Sequence, residues 1–358
     1  MIRVVVAEDS ATVRKLLVEI LESDPDIRVV GEANTGVEAI ELAIRLAPDL
    51  ITMDIHMPVM DGFEATKEIM VHAPTPILIV SSSGSGHEVD LSLDAIRAGA
   101  LMVLQKPDDP RSARFNGRRE ELVAMAKAMA RVKVVRRWGP RTRGPGQTPR
   151  QMPNHTPGGA RVRLIAIAAS TGGPSALQRI FAALPRDFAV PILVVQHIAA
   201  GFAAGLADWL AANCDLRVKV ADQGELLAGR TVLIAPDDRH MGVGADARVI
   251  VADTPRVGGF RPSGTHLFTS AAKAYGTALV AVILTGMGRD GVDGLLDVKL
   301  AGGRVLAQDE GSSVVFGMPG EAVAAGVVDA VLTPDEIAAR LTELVWDGIQ
   351  IDTDRAGH

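Results

Sequence analysis

Short apolar runs alternate with helix-patterned segments along almost the whole chain, and this alternation is the tightest constraint on its fold. Residues 2–7 (Ile-Arg-Val-Val-Val-Ala), 27–33, 50–53, 76–80 and 101–105 read as strands. Helical periodicity falls between them at about 11–22, 36–46, 62–72 and 87–98. Runs this short and this apolar belong to strands buried on both faces, and parallel partners need a helix-length crossover between them. Five such alternations predict an α/β unit: an open, doubly wound parallel sheet of the flavodoxin-like kind, closed by a helix around 118–136 whose end is rich in Lys and Arg.

A second α/β unit, Rossmann-like and again doubly wound, begins near Arg161 and runs to about Trp346. Its candidate strands are 162–168, 190–196, 216–220, 231–235, 247–252, 278–284 and 303–307, with 327–332 as a further one. The chain's 358 residues suit two domains. The expected division is 1–125, a basic helix end and linker at 126–160, 161–346, and a frayed tail at 347–358. Residues 138–160 hold five prolines and five glycines, which predicts a solvated tether. The stretch from Asp108 to Ala160 carries 12 Lys/Arg against 4 Asp/Glu, although the whole chain has a net charge of −6. Two acidic domains flanking a basic segment do not make a nucleic-acid binder. No apolar run approaches the ~18 residues of a membrane span, and the chain opens on a strand rather than a signal-peptide pattern. The single cysteine, Cys214, excludes a disulfide framework and is expected to be buried and inert. A cytoplasmic location without membrane insertion is the expectation.

In the first unit, Glu8 and Asp9 end strand one, Asp54 ends strand three, Ser81 ends strand four and Lys106 ends strand five. In a doubly wound sheet these ends share one rim. Three carboxylates there repel one another unless a hard cation such as Mg²⁺ neutralises them. A carboxylate so placed also accepts a phosphoryl group while metal and lysine offset its charge.

In the second unit, Ser170 opens the turn Thr171-Gly172-Gly173-Pro174 after one apolar run, and His197 follows the next. Asp290 sits in Thr285-Gly286-Met287-Gly288-Arg289-Asp290-Gly291 after a third. Nucleophile, base and orienting carboxylate would share one rim. His240 and His266 compete with His197 as the base, and Asp293, Asp237 and Asp238 compete with Asp290. A serine at a strand-to-helix turn also gains from the helix N-terminus, whose free N–H groups stabilise an oxyanion.

The first unit resembles a bacterial two-component receiver domain over its whole length. That resemblance implies Asp54 as phospho-acceptor, Glu8 and Asp9 with Asp54 as the Mg²⁺ site, Ser81 as the switch hydroxyl and Lys106 as the phosphate-contacting cation. Many receivers carry an aromatic three residues before the lysine, a place held here by Val103. Both units together resemble the response-regulator protein-glutamate methylesterases of bacterial chemotaxis. The resemblance rests on Ala169-Ser170-Thr171-Gly172-Gly173-Pro174, Gln196-His197, Leu284 to Gly291, Gly302-Gly303 and Ala307-Gln308-Asp309-Glu310. It implies hydrolysis of receptor glutamate γ-methyl esters, with glutamine deamidation as a second activity, and no cofactor for the esterase. Ser170 is then nucleophile, His197 base and Asp290 orienter, and the Met287 N–H and the Thr171 region are oxyanion donors. Implied partners are chemoreceptor cytoplasmic helices and a chemotaxis-type histidine kinase. Two stretches expected to border the site depart from the family pattern: Gly264-Thr265-His266-Leu267-Phe268 after Arg261-Pro262-Ser263, and Ile198-Ala199-Ala200-Gly201-Phe202 after His197.

Overall fold

A computed structural model of the chain describes residues 1–81, 86–107, 111–112, 115–132 and 161–355. The expected tether at 138–160 and most of the basic stretch lie outside the described residues.

The first unit runs β1 (Ile2–Ala7), α1 (Ala11–Glu22), β2 (Ile27–Ala33), α2 (Gly36–Leu46), β3 (Leu50–Met53), α3 (Gly62–His72), β4 (Ile77–Ser81), α4 (Gly86–Ala98), β5 (Met102–Gln105) and α5 (Phe115–Met129). Its strands pair in parallel in the order β2-β1-β3-β4-β5. The order reverses at β1, so the loops after β1 and β3 open side by side at the switch point where doubly wound sheets bind ligands. Helix α5 begins earlier than the periodicity suggested and ends at Met129, where Ala130 N donates to Ala126 O at 3.0 Å. Its last turn carries Lys127, which pairs with Asp24 and Asp26 and pins the helix to the α1–β2 loop. Residues 133–136 of the expected helix lie outside the described residues.

The second unit runs β6 (Leu164–Ala169), α6 (Gly173–Ala183), β7 (Ile192–Gln196), α7 (Ala203–Ala211), β8 (Arg217–Val220), β9 (Thr231–Ile234), β10 (His240–Val243), β11 (Val249–Ala252), α8 (Gly264–Tyr275), β12 (Leu279–Ile283), α9 (Val292–Leu300), β13 (Arg304–Gln308), α10 (Met318–Ala324), β14 (Ala330–Leu332) and α11 (Pro334–Arg355). Seven strands form a parallel sheet in the order β14-β13-β12-β6-β7-β9-β8. Alternate residues of β6 face opposite layers. Ile165 and Ile167 join the core with Leu177, Ile180 and Leu341, whereas Leu164 and Ala166 join Leu267, Phe268 and Leu295. Every β6 residue is buried, which is why the run is apolar throughout instead of alternating.

Three expectations need correction. The strand read at 247–252 does not enter the main sheet. As β11 it pairs antiparallel with β10, which the apolar pattern missed because His-Met-Gly-Val lacks the β-branched signature of a strand. The tail expected to fray from residue 347 continues α11 to Arg355. A helix already nucleated propagates by one hydrogen bond per residue, so a polar composition alone does not end it. Cys214 is half-buried, not fully buried; burial pushes its thiol up and keeps it protonated.

Candidate active site

Strand β6 lies between β12 and β7, so the loops bearing Ser170, His197 and Asp290 leave the carboxyl ends of three neighbouring strands. Ser170 is held by its backbone. Its N–H donates to Thr285 O at 3.0 Å, and its carbonyl accepts from Gly173 N and Gln196 Nε2, both at 2.8 Å. The turn into α6 needs glycine at 172, where φ is +76° and a Cβ would meet Val314 Cγ2 at 2.5 Å. Gly286 lies against the serine, since a Cβ there would come within 2.6 Å of Ser170 Cβ. Thr171 is buried, and its carbonyl accepts from Thr285 Oγ1 at 2.9 Å. Among the described residues, the N–H groups of Thr171 and Met287 donate to no other protein group.

His197 follows β7, and its N–H donates to Ala169 O at 2.9 Å, the register expected of consecutive β-α-β strands. Its Nε2 lies 2.9 Å from Asp290 Oδ2. Asp290 also accepts from Gly264 N at 2.6 Å on Oδ2, and from Ser263 Oγ at 2.7 Å and Thr265 N at 3.2 Å on Oδ1. These donors belong to the first turn of α8 and its cap. Burial opposes the Asp290 charge, but His197, Ser263 and Gly264 outweigh it and bring the pKa down to about 2. At neutral pH the carboxylate is therefore an acceptor only, which places the imidazole proton on Nε2 and the lone pair on Nδ1. That Nδ1 is buried and without a hydrogen-bond partner, in a cleft that Ser170 also lines. Ser170 Oγ makes no hydrogen bond to it, a separation common before substrate closes a site.

The competing residues are engaged elsewhere. His240 is wholly buried in β10, hydrogen-bonds Pro255 O through Nε2 at 3.1 Å, and stacks on His266 at a centroid distance of 4.6 Å. Burial, His240 and Lys273 lower the His266 pKa. Asp293 is exposed and pairs with Arg289 at 2.9 Å. Asp238 is bound by Arg261 at 2.8 Å. Burial raises the Asp237 pKa against the pull of the Gly201 and Ala203 N–H groups at the start of α7.

In the first unit, one oxygen each of Glu8, Asp9 and Asp54 lies within 4.8 Å of the others. Lys106 Nζ sits 3.0 Å from Glu8 Oε2 and 2.9 Å from Asp54 Oδ2. Burial pushes both of those carboxyls up, only partly offset by Lys106. An all-oxygen acidic donor set of this kind fits Mg²⁺. Ser81 ends β4 beside Gln105 of β5, and its carbonyl accepts from Lys106 N at 2.8 Å.

The two units meet over the cleft. Ile96, Leu101, Met102 and Val103 form one wall, and Ser170, Thr171, Pro174, His197 and Ile198 form the other. Gly172 N donates to Leu101 O at 3.3 Å, and Trp209 Nε1 donates to Asp94 Oδ1 at 3.3 Å. Gln105 Nε2 donates to Ala200 O at 2.6 Å, three residues beyond His197. Arg118 steadies Gln105 through Oε1 and donates to Lys106 O at 3.0 Å. Val103, the place where many receivers carry an aromatic, thus faces the cleft itself.

Sequence reasoning did not find the Ser263–Thr265 cradle as a holder of Asp290, nor Phe260, nor Gln105. The departure from family pattern at 264–268 pointed toward the cradle. Nothing in the sequence marked Phe260 or Gln105.

The CheB methylesterase family matches residues 165–341, and the response regulator receiver domain family matches residues 4–114. A protein-glutamate methylesterase/protein-glutamine glutaminase of Myxococcus xanthus is 53% identical over 341 residues, covering 95% of this chain and 96% of its own. One from Anaeromyxobacter dehalogenans is 54% identical over 342 residues, covering 95% and 98%. The crystal structure of the Thermotoga maritima CheB methylesterase catalytic domain aligns with a TM-score of 0.51 at 40% identity, covering 52% of this chain and 100% of that one.

Proposed function

The chain belongs to the receiver-linked CheB family of protein-glutamate methylesterases/protein-glutamine glutaminases, and from that premise we propose that Ser170, His197 and Asp290 carry its chemistry. The observation that carries the assignment is the His197–Asp290 pair at 2.9 Å, which leaves Nδ1 unpaired in the cleft of Ser170. Ser170 Oγ attacks the ester carbonyl as Nδ1 takes its proton. The tetrahedral intermediate collapses, and the imidazolium returns the proton to the departing methoxide as methanol. Water, deprotonated by the same nitrogen, then hydrolyses the acyl-serine to glutamate; a glutamine substrate releases ammonia by the same steps. The N–H groups of Met287 and Thr171 are the oxyanion donors, each worth about 10²-fold or more in rate where such donors have been removed from other hydrolases. The test is methanol release from methyl-labelled chemoreceptor membranes. Release above a no-enzyme control is expected, and its absence with phosphorylated protein would overturn the reading.

The receiver domain implies phosphotransfer from a histidine kinase, and the methylesterase domain implies a receptor substrate. More narrowly, the kinase is of the chemotaxis type, the substrate segment is a receptor's cytoplasmic helix, and the protein works in the cytoplasm. No helix of the described residues is long and apolar enough to cross a membrane. The segment 126–160, a basic helix end followed by a linker, joins units at 1–125 and 161–346. Asp54 is the phospho-acceptor, and Glu8, Asp9 and Asp54 would hold a Mg²⁺, which when bound would supply positive charge against the incoming phosphoryl group. Lys106 contacts that group, and the Ser81 hydroxyl answers it. Asp54→Asn should block uptake from a small phosphodonor, because an amide cannot form the acyl phosphate. Esterase activity should then stay at the unphosphorylated rate with or without donor; donor-stimulated activity in this variant would refute the assignment.

Because β5 walls the cleft, the receiver restrains the esterase, and phosphorylation shifts the population toward an open arrangement. Gln105 links the two events. It adjoins Lys106 in sequence and holds the loop after His197. Gln105→Ala should raise unphosphorylated activity by about fivefold, the shift expected from one interdomain hydrogen bond of about 1 kcal/mol. Activity of phosphorylated protein should change little. An unphosphorylated rate equal to that of the parent would show that this bond does not hold the closed form.

A further inference from the structure

The ring of His197 needs more than Asp290 to hold it. The χ2 torsion of histidine is broad and roughly two-fold, so rotamer preference does not fix the imidazole plane. Asp290 fixes one atom, Nε2, and the ring could still swing about that contact and carry Nδ1 out of line with Ser170. Phe260 blocks the swing. Its ring lies on the imidazole at a centroid distance of 4.3 Å with the planes 8° apart.

Phe260 is itself firmly held. Val257 and Phe260 exchange backbone hydrogen bonds at 3.1 and 3.0 Å across Gly258-Gly259, both at positive φ, which makes a closed two-residue turn. The next residue, Arg261, grips Asp238 through Nε at 3.0 Å and Nη2 at 2.8 Å, and Asp253 through Nη1 at 2.7 Å. Two residues further on, Ser263 begins the cradle of Asp290. One continuous segment, 257–265, therefore positions both the imidazole and its carboxylate. The turn and the two-pronged arginine give an aromatic ring of modest exposure a defined place that packing alone would not require.

We propose that Phe260 is a positioning residue for the esterase reaction, its ring setting the plane in which His197 Nδ1 meets the Ser170 hydroxyl. This rests on the assignment of Ser170 and His197 above. A phenyl face also stabilises a cation stacked on it, so the same contact favours the imidazolium that forms as Ser170 is deprotonated. Both effects act on the reacting state and not on receptor binding, so they belong in kcat.

The test uses full-length, phosphorylated protein and methyl-labelled receptor membranes. Phe260→Leu should lower kcat about tenfold with KM unchanged, the scale of a lost cation–π contact and a loosened base. Phe260→Tyr should remain within about twofold of the parent, since it keeps the stacking face. A Leu variant that matches the parent overturns the proposal. So does one that raises KM while keeping kcat, which would make Phe260 a substrate contact, and so does a folded Tyr variant as slow as Leu. His197→Ala, measured alongside, separates the two readings. If it is inert while Phe260→Leu is unaffected, only the positioning role fails; if it turns over normally, the assignment of the base fails with it.

Discussion

Ser170→Ala should abolish methanol release from receptor membranes, with kcat falling by about 10⁶-fold, the loss typical of removing the nucleophile of a working triad. The structure indicates that the loss will be chemical, not structural. Every hydrogen bond recorded for Ser170 uses its backbone: N–H to Thr285 O, and the carbonyl from Gly173 N and Gln196 Nε2. Alanine keeps all three and removes one oxygen from a residue that is 6% exposed. Thermal stability should therefore stay within about 0.5 kcal/mol of the parent, as for substitutions that touch none of the costly mechanisms. Phosphorylation at Asp54 depends on a different sheet and should proceed normally. Methanol release, a melting curve and phosphoryl uptake on the same preparation check the three expectations. A folded, phosphorylatable Ser170→Ala protein that still turns over within a hundredfold of the parent would mean that another group attacks the ester.

What was legible in the sequence follows from what physics makes local. Strands such as β6, β7 and β12 are buried on both faces, so they announce themselves as unbroken apolar runs, and the helices between them force parallel pairing. The neighbourhood of Ser170 and His197 was readable because successive β-α-β strands pack side by side. The rim carrying Glu8, Asp54 and Lys106 was readable because a doubly wound parallel sheet brings the carboxyl ends of all its strands to one side, with β1 and β3 adjacent at the switch point. The remainder depends on contacts between distant segments. Ser263, Gly264 and Thr265 reach Asp290 across about 25 residues, and no short-range pattern marks a helix start chosen for an anion at its N-terminus. The Phe260 stack and the Gln105 bridge depend on how a loop folds over the sheet and how two domains meet. β10 escaped because four residues containing a histidine and a glycine look like a loop until their antiparallel partner is in place.

Asp290→Ala should lower kcat by about 10⁴-fold, less than the loss of the nucleophile, because the carboxylate orients and stabilises the base without itself reacting. Without it, neither tautomer of His197 is preferred, and the imidazolium formed during attack loses its counter-charge. Unlike Ser170→Ala, this change should also destabilise the fold. It leaves Ser263 Oγ–H and the N–H groups of Gly264 and Thr265 without their acceptor at the start of α8, and buried donors left unpaired are costly. The pH dependence has a definite sign. The Asp290 carboxyl has a folded pKa of about 2 against an ordinary 3.8, so its ionised form stabilises the native state. That contribution, roughly 2 kcal/mol by linkage, is fully present above the unfolded value and disappears as pH falls through the folded one. Denaturant melts should therefore show a stability gap between parent and Asp290→Ala that is constant from neutrality down to about pH 4 and narrows toward pH 2. Asp293→Ala, three residues away on an exposed pair with Arg289, is the control and should leave kcat unchanged. A gap that does not narrow between pH 4 and pH 2 would show that the α8 N-terminus does not hold the charge. A loss in kcat below tenfold would show that His197 needs no orienting carboxylate, since a neutral cleft would then serve the imidazolium as well.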